Sequence, residues 1–212
     1  MKILNEKQTI INVTKLLEDK KRFAFVTYTR SALFTAVGEL KGDKKPPKNF
    51  TKSILTGLTN NDKMFVKASQ KDFIEQFDQK LSKAGLNNEI FADAAFLESY
   101  INNNEEVFNI FMRHYLKETK CLVISFQYKS LISKYFSKDS AFIHIPYNDF
   151  YDKLDGIMAQ ISEFTGEYDL CVLDCPMFSA AIAPRIWEET NMSVLDLGKS
   201  LTVARAVAKS KE

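Results

Sequence analysis

Asp174 and Asp196 are the residues from which a chemistry can be argued first. Each closes a short apolar run: residues 170–173 are stopped by Asp174, Cys175 and Pro176, and residues 193–197, which contain Asp196, are stopped by Gly198. Residues 178–189 lie between them and have helical composition. A strand, a crossover helix and a second strand in about thirty residues make a βαβ unit, with the two strands parallel in a sheet covered on both faces. Ligands of such sheets sit outside the carboxyl ends of the strands, so both carboxylates fall where a site would be. Structural roles compete with this one. Asp174 could cap the following helix, Asp196 could anchor the turn before Gly198, and Ser179 could be an N-cap.

A second chemistry-bearing stretch lies near the start of the chain. The apolar run 23–28 breaks into TYTRSALFTAVGEL, where hydroxyls and an arginine precede a helical pattern running towards Gly38. Ser31 is the expected N-cap. A strand that turns into a helix N-terminus is a cradle for anions, because free backbone N–H groups and the helix dipole both favour negative charge. Arg30 at that turn adds a planar, bidentate donor.

The elements that must position these groups follow from periodicity. Residues 3–20 place Ile10, Ile11, Val13, Leu16 and Leu17 at spacings of three and four, the mark of an amphipathic helix on a sheet. Residues 49–58 read as a helix closed by Gly57, 64–66 as a short strand, and the face made by Phe73, Ile74, Phe77 and Leu81 as a helix ending near Gly85. Residues 90–100 and 105–117 read as two helices. The remainder alternates: strand 121–126, helix 129–136, strand 141–145, helix 149–164, and then the βαβ unit. The pattern predicts one α/β domain over residues 1–212, Rossmann-like, with a largely parallel sheet and helices on both faces.

Composition excludes several classes. A net charge of +2 provides no overall field for nucleic acid or membrane binding. Only the lysines of 41–52 offer a local basic stripe, and that stretch reads first as a solvated loop or a flap near the site. No apolar run approaches the ~20 residues of a membrane span. Cys121, Cys171 and Cys175 form no CxxC pair, and an odd count without a leader-like N-terminus fits a reducing cytoplasm. Neither histidine has a partner at metal-ligand spacing. The abundance of lysine and asparagine points to an AT-rich genome, bacterial or viral.

Over residues 121–200, and more faintly over 23–39, the order of motifs resembles the GT-D-type glycosyltransferases, a bacterial family with a Rossmann-like domain that uses nucleotide sugars. That family carries a strand followed by a Pro-x-Asn-x-Phe turn and a helix, a strand ending in a Gly-Pro loop, and a strand ending in Asp-Ile-Gly-His. The corresponding segments here are IHIPYNDFYDKLDGIM, DLCVLDCPMFSAAIAP and SVLDLGK. The departures bear on mechanism. Arg30 and Ala32 stand where the family has two acids after its first strand, and Lys199 stands where it has the histidine. Those acids and that histidine would hold a divalent metal and the sugar diphosphate. Two of the three replacements introduce a cation, which can meet a diphosphate directly.

The resemblance therefore implies a metal-independent transferase acting on a nucleotide sugar and an acceptor. In that picture Thr29, Arg30 and Ser31 cradle phosphate, and Asn148 contacts the base or ribose. The segment from Cys175 to Ser179 forms a second phosphate loop, and Asp196 and Lys199 close the pocket. Asp174 or Asp196 is the candidate general base, although a nearby cation would weaken either. The alternative is an inactive member of the same fold kept as a binding or assembly module. An exposed aromatic surface would support that alternative, and the 17 phenylalanines raise the question. A sugar transferase acting on modified nucleic-acid bases is a third reading, and pairing into a homo-oligomer is compatible with any of them.

Overall fold

The computed structural model describes residues 2–40, 45–83, 90–103, 105–147 and 150–209. Eight parallel strands form one sheet in the order β1-β4-β3-β2-β8-β7-β5-β6. The strands are β1 (Lys2–Ile3), β2 (Ala24–Thr27), β3 (Phe65–Ser69), β4 (Ile90–Asp93), β5 (Leu122–Ser125), β6 (Ala141–His144), β7 (Leu170–Asp174) and β8 (Ser193–Asp196). The helices are α1 (Glu6–Glu18), α2 (Arg30–Ala36), α3 (Lys48–Leu58), α4 (Lys71–Lys83), α5 (Phe96–Asn103), α6 (Glu105–Phe111), α7 (Lys129–Ile132), α8 (Leu154–Glu163), α9 (Phe178–Glu189) and α10 (Ser200–Lys209). The π turn Met112–Lys117 prolongs α6, and 3-10 turns follow α7 and precede α8.

The central strands read as continuous apolar runs because both faces of the sheet are covered, as parallel sheets require. Alternate residues feed two separate cores. Ala24, Val26, Leu122, Ile124, Cys171, Leu173 and Val194 pack with α3, α4, α8 and α9. Phe25, Val123, Val172 and Leu195 point the other way and pack with α1, α5, α6 and α10. The parallel sheet with helices on both faces is thus as the alternation of elements predicts. Every phenylalanine is buried or half-buried, and most of these rings fill the two cores. The three cysteines are free and buried. No helix among the described residues is long and apolar enough to cross a membrane.

Three local expectations are corrected. Residues 90–100 are not one helix: β4 comes first and α5 follows. Its four residues pair with β3 on one side and β1 on the other, so distant backbone partners override a local helical composition. β1 itself is too short for any period to register. The N-cap of α2 is Thr29, whose hydroxyl accepts from the Ala32 N–H at 3.3 Å, and Ser31 lies inside the first turn. Gly57 does not end α3 but sits within it, at its contact with α9. The expected helix end near Gly85 and the lysines of 41–44 lie outside the described residues.

A Cβ on Gly57 would collide with Tyr28 Oη and with Cγ of Pro184, a rigid ring inside α9. Gly57→Ala is therefore expected to destabilise the chain by ~1–3 kcal/mol through overpacking, even though alanine is the better helix former. Urea unfolding of the two proteins measures this. An unchanged or raised midpoint would show that α3 and α9 can separate without cost.

Candidate functional site

The carboxyl ends of β2, β3, β4, β7 and β8 and the segments after β5 and β6 surround a cavity of about 420 Å³. That volume lies in the range of small-molecule sites. The strand order explains its place. The connection leaving β5 runs outwards to β6, whereas the one leaving neighbouring β7 runs back to β8, so the loops diverge and leave a crevice at the switch point.

The walls differ in chemistry. On one side Phe126, Tyr147, Phe150 and Tyr151 form an aromatic wall, with Phe126 and Tyr147 ring centroids 5.3 Å apart and Phe126 and Phe150 5.5 Å apart. Tyr147 is 73% exposed, a large ring left open to solvent at the rim. On the other side lie Thr27, Thr29, Arg30 and Ser31 at the end of β2 and the start of α2, with Glu98, Gly198 and Lys199 beside them. Arg30 and Lys199 are exposed, and the Arg30 guanidinium lies 5.4 Å from the centre of the Phe34 ring.

The floor near β7 is strained. Met177 has φ 66° and ψ −48°, and the Phe178 N–H donates to the Pro176 carbonyl at 2.9 Å. This is a γ-turn of the rare type with a non-glycine residue at its centre. Such a conformation costs ~1–3 kcal/mol and persists only where its surroundings impose it, commonly at binding sites. Here Tyr151 and Met177 hold each other, the phenol donating to the thioether sulfur at 3.6 Å.

The residues singled out in the sequence divide into two groups. Thr29, Arg30, Ser31 and Lys199 line the cavity together. Asp174, Asp196, Cys175 and Ser179 do not: all four are buried behind the wall. Strand pairing sets Leu173 level with Asp196, so Asp174, one residue further on, points to the opposite face. The two carboxylates therefore lie on opposite faces of the sheet, although the Asp196 charge adds to the rise of the Asp174 pKa.

Asp196 Oδ2 accepts the Thr27 N–H at 2.9 Å and its Oδ1 accepts the Gly198 N–H at 3.0 Å, which ties β8 to β2 and closes the turn. Burial raises its pKa to about 6 against the pull of those donors. On the other face Asp174 Oδ2 accepts from Ser125 Oγ at 2.7 Å and from Gln127 Nε2 at 2.9 Å. Arg205 of α10 donates in turn to Gln127 Oε1. Burial raises the Asp174 pKa to about 7, and its Oδ1 has no hydrogen-bond partner. A general base must first reach the proton it takes, and neither aspartate reaches the cavity. The Ser179 hydroxyl donates to the Cys175 carbonyl at 3.0 Å and sits 3.4 Å from the Cys175 thiol, so both side chains serve the start of α9 from within. Pro176 and Met177 are the residues of that loop that face the cavity. Asn148 lies outside the described residues.

Among the described residues Glu98, on the first turn of α5, is the carboxylate that does line the cavity. It gives no signal in the sequence, because reading 90–100 as one helix hides the strand end that precedes it. The aromatic wall escapes for a different reason. Phe126, Tyr147, Phe150 and Tyr151 converge from two connections, and their spacing follows no period.

A divalent cation needs several anionic or neutral oxygen or nitrogen donors. Among the described residues no group of three or more His, Cys, Asp and Glu is placed to hold one. Within the cavity the Glu98 carboxylate lies near the Lys199 charge, with Arg30 lining the same cavity.

Comparison of the coordinates with solved structures relates this geometry to known proteins. A structure described as a new glycosyltransferase (DUF1792) from Streptococcus sanguinis superposes with a TM-score of 0.77 at 11% identity, covering 99% of this chain and 85% of that one. A selenomethionine-substituted structure of domain of unknown function 1792 matches with a TM-score of 0.73 at 10% identity, covering 99% and 82%. A third, described as the highly conserved domain of unknown function 1792 with a distinct glycosyltransferase fold, matches at 0.69 and 11%, again covering 99% and 82%. The chain has the glycosyltransferase fold of these structures. No family model and no curated protein matches the sequence, which at 10–11% identity fits a divergent representative of that fold. The expected resemblance is therefore met at the level of the fold.

Proposed function

We propose that this protein transfers a sugar from a nucleotide sugar to an acceptor hydroxyl and meets the charge of the diphosphate with Arg30 and Lys199 in place of a metal. The observation that carries this reading is the division of one cavity into an aromatic wall and a cationic wall. A nucleotide sugar has the same division, with a flat base that stacks on rings and a diphosphate that needs cations. Phe126 and Tyr147 would receive the base at the open rim, with Asn148 contacting base or ribose. The first turn of α2 adds N–H donors to Arg30 for the phosphates, and Ser31 lies beside them. The Thr29 hydroxyl is occupied as the N-cap, so its contribution is to hold that turn in place.

The test is thermal stability of the purified chain with UDP, GDP, CDP, dTDP and their sugar conjugates, each with and without manganese. A ligand at a hundred times its Kd adds ~2.7 kcal/mol to the native state, a shift of several degrees. One nucleotide series should stabilise the protein equally in the presence and absence of manganese. Stabilisation that depends on manganese would remove the metal-free part of the reading, and no shift with any nucleotide would remove the reading itself.

A further inference from the structure

The cavity contains a subsite that neither wall accounts for. Gly198 has φ +59° and presents no side chain; a Cβ built there would lie 3.7 Å from the Ala94 carbonyl oxygen, 3.8 Å from Glu98 Oε1 and 4.0 Å from Thr27 Oγ1. A carboxylate oxygen and a hydroxyl therefore border one small space above the glycine backbone. Thr27 is 6% exposed, and its Oγ1 is buried beside the Asp196 carboxylate, whose pKa it helps to hold down, without a hydrogen bond of good geometry. A buried hydroxyl left in that state costs free energy that a bound polar group would recover. Glu98 is half-buried. Burial raises its pKa, while the Lys199 N–H and the Lys199 charge pull it back towards the ionised form. An ionised carboxylate accepts hydrogen bonds and a threonine hydroxyl both gives and accepts, so together they are complementary to a hydroxyl.

We propose that the space over Gly198 holds the acceptor hydroxyl and that Glu98 is the general base of the transfer. This rests on the transferase reading above. The acceptor O–H proton passes to a Glu98 carboxylate oxygen, and the oxygen's electron pair forms the new bond to the anomeric carbon in a single displacement. The bond from that carbon to the diphosphate oxygen breaks, and its electron pair leaves with the nucleoside diphosphate, whose charge Arg30 and Lys199 meet. The Glu98 proton is then lost to solvent. The Thr27 hydroxyl hydrogen-bonds the attacking oxygen and sets its direction.

The experiment uses the full chain with UDP-glucose, GDP-mannose and dTDP-glucose as donors. Release of nucleoside diphosphate is followed with water and with a panel of free sugars as acceptors, and donor affinity is followed by thermal shift. Glu98→Gln keeps the shape and a hydrogen-bond acceptor but cannot take the proton. It should bind donor within about twofold of the unaltered protein while release falls by ~10²–10⁴, the usual span of general base catalysis. Thr27→Val should lower release about tenfold and Thr27→Ser should restore it. Release by Glu98→Gln within threefold of the unaltered protein overturns the proposal. So does a parallel loss of donor affinity, which would make Glu98 a ligand of the donor sugar. Donor binding by the unaltered protein with no release to any acceptor also overturns it but leaves the nucleotide site standing. Absence of any donor binding marks failure of the transferase reading, and Glu98 falls with it.

Discussion

Replacing Arg30 and Lys199 together with alanine is expected to lower the affinity for a nucleoside diphosphate by ~10²–10³, taking ~1.5–3 kcal/mol for each charged hydrogen-bonding group and discounting for exposure. Both side chains lie in the open mouth of the cavity. Water competes with each of them, so the loss should lie in the lower half of what two buried charges would give. The same exposure makes the experiment clean. The Arg30 guanidinium packs only loosely on the Phe34 ring, so the unliganded variant should melt within about 0.5 kcal/mol of the parent, as surface substitutions usually do. Two controls separate a charge clamp from a general collapse of the site. An uncharged nucleoside, which needs only the aromatic wall, should bind the double variant as it binds the parent. Tyr147→Ala should weaken nucleoside and nucleotide alike. Calorimetric titration of diphosphate and nucleoside into the three proteins decides the matter. Equal diphosphate affinity in parent and double variant would dismiss the cationic clamp, and recovery of the variant by manganese would return the site to metal chemistry.

How far the site could be read from the sequence depends on which physical signal each residue leaves. Arg30 was legible because it follows an apolar run that ends abruptly, and the end of a parallel strand is where ligands meet a sheet; Lys199 was legible only through the resemblance, where it stands in the place of the family's histidine. The same rule placed Asp174 and Asp196 correctly in the chain and left their direction open. A strand sends successive side chains to opposite faces, so the last rung of a ladder can point into a core, as Asp174 and Asp196 do, or border the crevice, as Thr27 does at the end of β2. Ser125 pairs with Asp174 in the register, and Leu173 pairs with Asp196. Both aspartates are thus the last rungs of their strands. The structural role weighed for Asp196, anchoring the turn before Gly198, is the one its hydrogen bonds display. Ser179 is a helix residue bonded back to Cys175 rather than a loop donor. Glu98 was lost with β4, whose identity rests on pairing to Ala68 and Ser69 far away in the chain. Local composition cannot carry that information.

Asp174 should make this protein less stable as the pH rises from 4 to 8, the reverse of ordinary acid denaturation. Its carboxyl is buried, and its pKa is raised to about 7 by that burial against donors from Ser125 and Gln127. The unfolded chain ionises near 3.9. Between those values the native state holds the proton and the unfolded state does not, so unfolding releases it and stability falls with pH. The contribution is complete below the unfolded pKa and is gone once the pH exceeds about 7; a shift of about three pH units corresponds to ~4 kcal/mol as an upper bound. Asp196, raised to about 6 on the other face, acts in the same direction over a narrower window. Asp174→Asn removes the first of these and, because the two carboxylates repel each other, also eases the ionisation of Asp196. The amide oxygen can accept from Ser125 and Gln127 as Oδ2 does, and its NH₂ takes the place of Oδ1, which has no partner in the parent either. Below about pH 3.9 the variant should match the parent, because the group is then neutral in both the folded and the unfolded chain; at pH 5 the unfolded parent is already ionised and the variant should lead by ~1.5 kcal/mol. At pH 8 it should be more stable by a few kcal/mol, read as a higher urea midpoint with an unchanged slope. A variant that loses as much stability as the parent between pH 5 and pH 8 would show that Asp174 is ionised throughout, and its buried Oδ1 would then need a donor that the native fold supplies by moving. The cavity should sense none of this, since Asp174 lies behind the wall: donor affinity at a fixed pH is expected to be the same in parent and variant, which keeps the stability of the sheet and the chemistry at its edge as two separable properties.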